Sequence, residues 1–262
     1  MKPDSIHLPE DLARAGCLVL FLDYDGTLAD FAPTPDILLP DQALIRLVES
    51  LAANPSLHVI ILSGRRLDHV TSLLPVEGIW QAGSYGVELN TPQGARLERL
   101  RFDELRPVLD RLRPLWQRLI QERQGFYLED KGWTLALHAR FAEPLEAEHV
   151  LARARRQAQR AAMQGPFRVL GGDRFLEIAP QPADKGETVS YFLSFPELEG
   201  CLPVYLGDDD KDEVAFAIIQ AGGGLAIKVG HLDESTLAQQ RLPDPAAARA
   251  WLEALLEARN RI

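Results

Sequence analysis

Cysteine is scarce, with only Cys17 and Cys201 in 262 residues. Each sits beside an apolar run, so both read as core thiols of a reducing compartment rather than as a disulfide. No apolar stretch approaches the ~18 residues of a membrane span, and the opening "MKPDSIHLPED" is too polar for a secretory signal. The expectation is a cytoplasmic chain. Basic residues are outnumbered: Lys and Arg total 28, Asp and Glu 38, and the formal charge is −10. This excludes a nucleic-acid or anionic-membrane surface. An anionic small substrate stays possible, because one metal ion and one lysine reverse a local potential. Neither an internal repeat nor a low-complexity tract occurs. Apolar residues make up 46% of the chain, enough for a sizeable core and against disorder.

What is present is a series of short apolar runs, most followed by helical periodicity. They are "CLVLFL" (17–22), "LHVIILSG" (57–64), "GIWQAGSYG" (78–86), "LPVYLGDD" (202–209) and "GLAIKVG" (224–230). Runs this apolar are buried on both faces, and helices between them imply parallel strands. Helices are expected after Gly26–Thr27 and near 66–74, 185–194 and 211–221, with an amphipathic one closing the chain. The fold class is α/β: a doubly wound, Rossmann-like parallel sheet over 1–102 and 182–262. Texture changes over 103–181. A long helical pattern, expected to bend or break near Pro114, leads to a strand pair in "GFYLEDKGWTLALHARF". A helix near 143–162 follows, then a hairpin about Gly171 and Gly172. This reads as an inserted α+β cap with an open-faced antiparallel sheet.

In a doubly wound sheet, ligands sit beyond the carboxyl ends of the strands. Asp23 and Asp25 fall there, two apart and on one side. One can act as nucleophile while the other handles protons. Gly26 and Thr27 offer turn N–H groups for an oxyanion. In "ILSGR", the Ser63 hydroxyl and Gly64 N–H can hold phosphate oxygens, with Arg65 next to them. Lys185 opens a helix, where it opposes the dipole and makes sense facing an anion. "GDDDKDE" (207–213) is self-repelling without a cation. Its oxygen donors suit Mg²⁺, with Asp208, Asp209 and Asp212 joining Asp23 and Asp25 as candidate ligands. Each element alone has a bland alternative: a capping turn, a helix N-cap, a solvated lysine or an acidic cap. All four together at strand ends favour one cleft.

D-x-D-G-T, S-G, a downstream Lys and G-D-D-x-x-D, in this order, resemble the haloacid dehalogenase superfamily of phosphatases. The resemblance implies that Asp23 forms an aspartyl-phosphate and that Asp25 protonates the leaving group and then activates water. It further implies that Asp23, the Asp25 carbonyl and Asp208 bind Mg²⁺, and that Ser63 and Lys185 hold the phosphoryl group. More narrowly, "LDYDGTL", "SGR", "EDKGWTLALHARF", "FLEIAP" and "GDD" resemble trehalose-6-phosphate phosphatases. There the cap grips the sugar at positions matching Glu129, Lys131, His138, Arg140 and Glu177. Three positions depart from that pattern: Tyr85 stands where the family has His, Lys211 where it has Thr, and Asp173 where it has Lys. The expected substrate is trehalose 6-phosphate. Another glycosyl phosphate, of the glucosyl- or mannosyl-glycerate type, is the alternative. A phospho-acceptor signalling domain is disfavoured by the cap and by Asp25. A monomer is plausible; the sequence does not fix the oligomeric state.

Overall fold

A computed structural model describes residues 10–30, 39–172, 174–230 and 235–261. The chain divides into two compact units, Met1–Leu97 with Asp184–Ile262, and Glu98–Ala183. The first unit begins with α1 (Glu10–Arg14), β1 (Leu18–Leu22), α2 (Gln42–Ala52), β2 (Leu57–Leu62), α3 (Leu67–Leu73), β3 (Trp80–Gly83), β4 (Glu88–Asn90) and β5 (Arg96–Glu98). The second holds α4 (Phe102–Ile120), β6 (Tyr127–Asp130), β7 (Leu135–His138), α5 (Pro144–Ala162), β8 (Phe167–Gly172) and β9 (Phe175–Pro180). The first then resumes with α6 (Lys185–Leu193), β10 (Leu202–Gly207), α7 (Glu213–Ala221), β11 (Leu225–Val229), β12 (Gln240–Leu242) and α8 (Pro245–Arg259).

The first unit is built on one sheet in the order β12-β11-β10-β1-β2-β3-β4-β5. The six strands from β12 to β3 pair in parallel, and β4 runs antiparallel to β3. Both faces are covered. Leu18, Leu20 and Leu22 of β1 join Val59, Ile61, Val204 and Leu206 under α2 and α8, where Leu44, Trp251 and Leu252 pack. Val19 and Phe21 point the other way, to Phe192 of α6 and Phe216 of α7. Burial on both faces is why the run reads as continuously apolar rather than alternating. Truncating a fully buried aromatic such as Phe21 to Ala costs about 3–5 kcal/mol.

Residues 26–30, the described residues that follow Asp25, do not start a helix. Gly26 takes a positive φ of 76°, its N–H donates to the Ala29 carbonyl at 2.7 Å, and the chain turns back on itself. The glycine makes that turn possible. The thiol reading is also corrected, because Cys17 and Cys201 form a disulfide with Cα atoms 4.6 Å apart. Each precedes a strand of one parallel pair, with Leu18 opposite Leu202, so the register sets the cysteines side by side across 184 residues of sequence. In the chain-entropy account a loop of that length is worth about 5 kcal/mol. No helix among the described residues is long and apolar enough to cross a membrane.

The second unit is a four-stranded antiparallel sheet, β6-β7-β9-β8. Against it lie α4 and α5, whose buried sides carry Leu109, Leu112 and Trp116, and Val150 and Ala154. Helix α4 runs unbroken through Pro107 and Pro114. Both prolines are exposed, so the carbonyls left without an N–H partner face water. The β8–β9 turn also falls later than expected. Gly171 and Gly172 pair with Leu176 and Phe175, and Arg174, at φ 54°, lies in the turn. Asp173 lies outside the described residues.

Candidate active site

The carboxyl ends of β1, β2 and β10 lie side by side, and the residue after each is polar: Asp23, Ser63 and Asp208. Asp23 extends the ladder, its N–H donating to the Leu206 carbonyl at 3.0 Å, and it is 4% exposed. Lys185 opens α6 and is 3% exposed. Its ammonium lies 3.0 Å from Asp23 Oδ1 and 2.6 Å from Asp212 Oδ1. Burial opposes that charge, yet Asp212 and Asp23 hold the lysine well above its ordinary pKa. It is therefore a fixed cation beside Asp23.

Asp212 is saturated. Its Oδ1 accepts from Lys185 and from the Tyr205 hydroxyl at 2.6 Å, and its Oδ2 accepts the backbone N–H groups of Asp208 and Asp209 at 3.1 and 3.0 Å. Four donors on a fully buried carboxylate define a residue that orients Lys185 and folds the acidic loop over itself. Gly207 permits this approach, since a Cβ there would meet Asp212 Cγ at 2.4 Å. Tyr205 is invisible as a functional residue in the sequence because it sits inside an apolar run.

Asp23 and Asp208 face each other across Thr27, whose hydroxyl is 3.3 Å from an oxygen of each. One hydroxyl carries one proton and can donate to only one of the two. Burial pushes Asp23 well up, and Lys185 only partly offsets this against Asp212 and Asp208. Burial likewise raises Asp208 to about 6. Asp209 differs: burial acts upward, but Lys185 and Lys211 leave it lowered, and its side chain is partly exposed. Asp23, Asp208 and Asp212 form a cluster of the size that surrounds a metal ion. Crowded acids, oxygen donors only and spare lone pairs on Asp23 and Asp208 fit a hard cation.

Asp25 is gripped by Arg65, with Nε to Oδ2 at 2.6 Å and Nη2 to Oδ1 at 2.5 Å. The two parallel hydrogen bonds fix the orientation of the carboxylate. The Ser63 hydroxyl accepts the Arg65 N–H at 3.1 Å and caps the turn that carries Gly64. Tyr85 packs over Gly64, where a Cβ would meet its ring at 2.7 Å. Ser84, Tyr85 and Gly86 all have positive φ, of 51°, 58° and 91°. Strain of this kind persists only where neighbours impose it. Here Ser84 N–H donates to the Arg65 carbonyl, Tyr85 N–H to the Ser63 carbonyl, and the Thr188 hydroxyl to the Tyr85 carbonyl.

In the second unit a polar cluster lies on one face of the sheet. Glu129 pairs with Ala136, and Ala136 with Glu177, so a small residue separates the two acids. Glu129 Oε2 is 3.0 Å from His138 Nε2 and 3.7 Å from Lys131 Nζ. Lys131 Nζ is also 3.4 Å from Glu177 Oε1, which accepts the Thr134 hydroxyl at 2.7 Å. Burial acts to raise Glu129, but His138 and Lys131 bring it below its ordinary range. Tyr127 and Phe175 flank His138, with ring centres 5.8 and 5.2 Å away. The structure thus brings together Glu129, Lys131, His138 and Glu177, and adds Thr134, Tyr127 and Phe175. Arg140 lies in the exposed turn after β7, and among the described residues no hydrogen bond or ion pair joins its side chain to that cluster.

The trehalose-phosphatase family matches the chain over residues 21–246. A trehalose-phosphate phosphatase of Mycobacterium marinum is 31% identical over 252 residues, which are 94% of this chain and 61% of that protein. The chain thus spans about three fifths of that relative's length. A probable trehalose-phosphate phosphatase of Sinorhizobium fredii is 31% identical over 242 residues, covering 90% of this chain and 86% of that protein. Among solved structures, the C-terminal domain of the C. albicans trehalose-6-phosphate phosphatase matches with a TM-score of 0.80 at 19% identity, covering 95% of each chain. That likeness is one of fold. By the reach of the family match and the identity to its relatives, the chain belongs to the trehalose-phosphatase family.

Proposed function

We propose that the chain is a Mg²⁺-dependent phosphatase that releases phosphate from trehalose 6-phosphate through an aspartyl-phosphate on Asp23. The observation that carries this reading is the placement of the Asp23 carboxylate, held by the Lys185 ammonium at 3.0 Å and facing Asp208 across Thr27. Asp23 attacks phosphorus and the bond to the sugar oxygen breaks. Asp25 gives its proton to that oxygen. It then takes a proton from the water that attacks the aspartyl-phosphate, which releases phosphate and restores Asp23. Lys185, the Ser63 hydroxyl and the Gly64 N–H hold the phosphoryl oxygens. Asp23, the Asp25 carbonyl and Asp208 would hold Mg²⁺, with Asp212 orienting the loop rather than acting as ligand. The ion supplies charge neutralisation of the acids and of the transferring phosphoryl group.

Arg65 holds both oxygens of Asp25. An incoming phosphate dianion competes for the same guanidinium, so substrate itself frees the acid. In the cap, Glu129, Lys131, His138 and Glu177 present alternating acceptors and donors to sugar hydroxyls, and Tyr127 and Phe175 offer apolar ring faces. A second reading, another glycosyl phosphate, is favoured by the contact between Tyr85 and Lys211, two of the departures from the family pattern. Phosphate release with Mg²⁺ from a panel of sugar phosphates separates the two. Trehalose 6-phosphate is expected to show the highest kcat/KM. A tenfold preference for a glycosylglycerate phosphate would select the second reading.

A further inference from the structure

Three neighbouring strands carry a reactive side chain at both ends. β1 has Cys17 before it and Asp23 after it, and β10 has Cys201 before it and Asp208 after it. β2 bears His58 near its start and leads to Ser63. The phosphatase reading uses only the carboxyl ends. At the amino ends, Cys17, Cys201 and His58 each offer a ligand atom, all within 4.8 Å of one another. All three residues are partly exposed. The parallel register explains the convergence. Leu18 lies opposite Leu202 and Val19 opposite His58, while the Leu202 N–H donates to the Cys17 carbonyl at 3.0 Å. The backbone positions are therefore fixed by ladder hydrogen bonds, and the side chains adjust by rotation about their Cα–Cβ bonds.

We infer that this cluster is a redox-gated site for a thiophilic divalent cation of the zinc class, with the disulfide as its closed state. A dithiol reductant opens it: the protein S–S bond breaks, the dithiol gives up two electrons and two protons as it cyclises, and Cys17 and Cys201 become thiols. The cation then displaces both thiol protons. Two thiolates and a neutral imidazole balance a divalent charge, so the occupied site carries no net charge. Bonds of about 2.3 Å to sulfur and 2.1 Å to nitrogen, at tetrahedral angles, require ligand atoms about 3.6–3.8 Å apart. In the closed state the two sulfurs are bonded to each other and the imidazole lies with them inside a 4.8 Å envelope, so opening the bond frees the sulfurs to separate to that spacing. Three ligands leave the fourth position to water, and the exposure of the cluster admits it. Among the described residues neither glutamate nor aspartate joins the cluster, which separates its chemistry from that of the Asp23–Asp208 site.

The test is cobalt titration of the full chain in saturating Mg²⁺, which fills the acidic site. The reduced protein should take up one Co²⁺ per chain with a thiolate-to-cobalt charge-transfer absorption, displaced by Zn²⁺. Carboxylates give no such band. The oxidised protein should show none. Cys17→Ser and Cys201→Ser should each halve the band or abolish it. His58→Gln should keep the thiols titratable while weakening Co²⁺ at least tenfold. Far-UV dichroism confirms that each variant is folded, and the reduced wild type supplies the reading where a variant is not. A reduced protein with two free thiols and no charge-transfer band overturns the inference. So does an unchanged affinity in His58→Gln, or a disulfide that a dithiol cannot open without unfolding the chain.

Discussion

The Lys211 ammonium donates to the Tyr85 hydroxyl at 2.8 Å and lies 5.0 Å from the centre of the same ring. Two positions that depart from the family pattern are thus one unit, although 126 residues separate them. Tyr85 is held in left-handed backbone beside Gly64, so the pair adds a cation and an aromatic ring to the edge of the proposed phosphoryl site. Tyr85→Phe keeps the ring and removes the acceptor that steers Lys211. The expected outcome is a fold that melts within about 2 °C of the parent and a three- to tenfold change in kcat/KM for sugar phosphates. Unchanged kinetics for every sugar phosphate would confine the pair to packing.

Asp23→Asn should abolish turnover by at least 10³-fold and leave far-UV dichroism as in the parent. An amide does not attack phosphorus, and the loss of one charge among crowded acids does not threaten the fold. Phosphate release above one hundredth of the parent rate would place the nucleophile elsewhere.

On the proposed function, Asp208 links metal binding to pH. Its pKa is raised to about 6 by burial and neighbouring acids, so in the metal-free protein the ionised form is disfavoured relative to the unfolded chain. Metal-free stability should then fall as pH rises from about 4 through about 6, and Mg²⁺ should restore it. Asp208→Asn removes that penalty. It should raise the metal-free stability at pH 7.5 by on the order of 2 kcal/mol while removing activity. For the parent, the Mg²⁺ concentration at half-maximal rate should climb as pH drops below about 6. A metal-free melting temperature that rises with pH across this window would contradict the assignment.

On the proposed function, variants of the second unit's cluster separate recognition from chemistry. Glu129→Gln and Lys131→Ala should lower kcat/KM for the sugar phosphate by about 10²-fold and by less than threefold for p-nitrophenyl phosphate. The small ester has no sugar hydroxyls for the cluster to bind. Equal losses for both substrates would make these residues supports of the fold.

Much of the core was legible because its information is local. A run buried on both faces is continuously apolar, so β1, β2, β10 and β11 announce themselves, and the residues that follow them mark the site. Strands of three residues such as β4, β5 and β12 carry too little pattern to read. Where the reading failed, the causes differ: one is a partner distant in sequence and the others are local. Cys17 meets Cys201 through strand register, and the helix expected after Thr27 gives way to a turn closed by Gly26. Pro114 predicts a bend or a break, yet its exposure lets α4 continue. Arg65 was legible as an anion binder, but its grip on Asp25 depends on two loops meeting. Tyr205, Tyr127 and Phe175 were hidden for a simpler reason: aromatic residues in strands look like core whichever way they point.

The central claim is that the phosphoryl group rests on Asp23 between two steps, and trapping it there tests this most directly. Asp25→Asn should be mixed with p-nitrophenyl phosphate and Mg²⁺, because nitrophenolate leaves without needing a proton. The account predicts a burst of one nitrophenolate per chain followed by a stall, since no carboxylate remains to activate water. Peptide mass spectrometry of the stalled protein should find one phosphoryl group, on Asp23 and removable by hydroxylamine. Steady turnover with no labelled peptide, or a phosphoryl group on any other residue, would contradict the account.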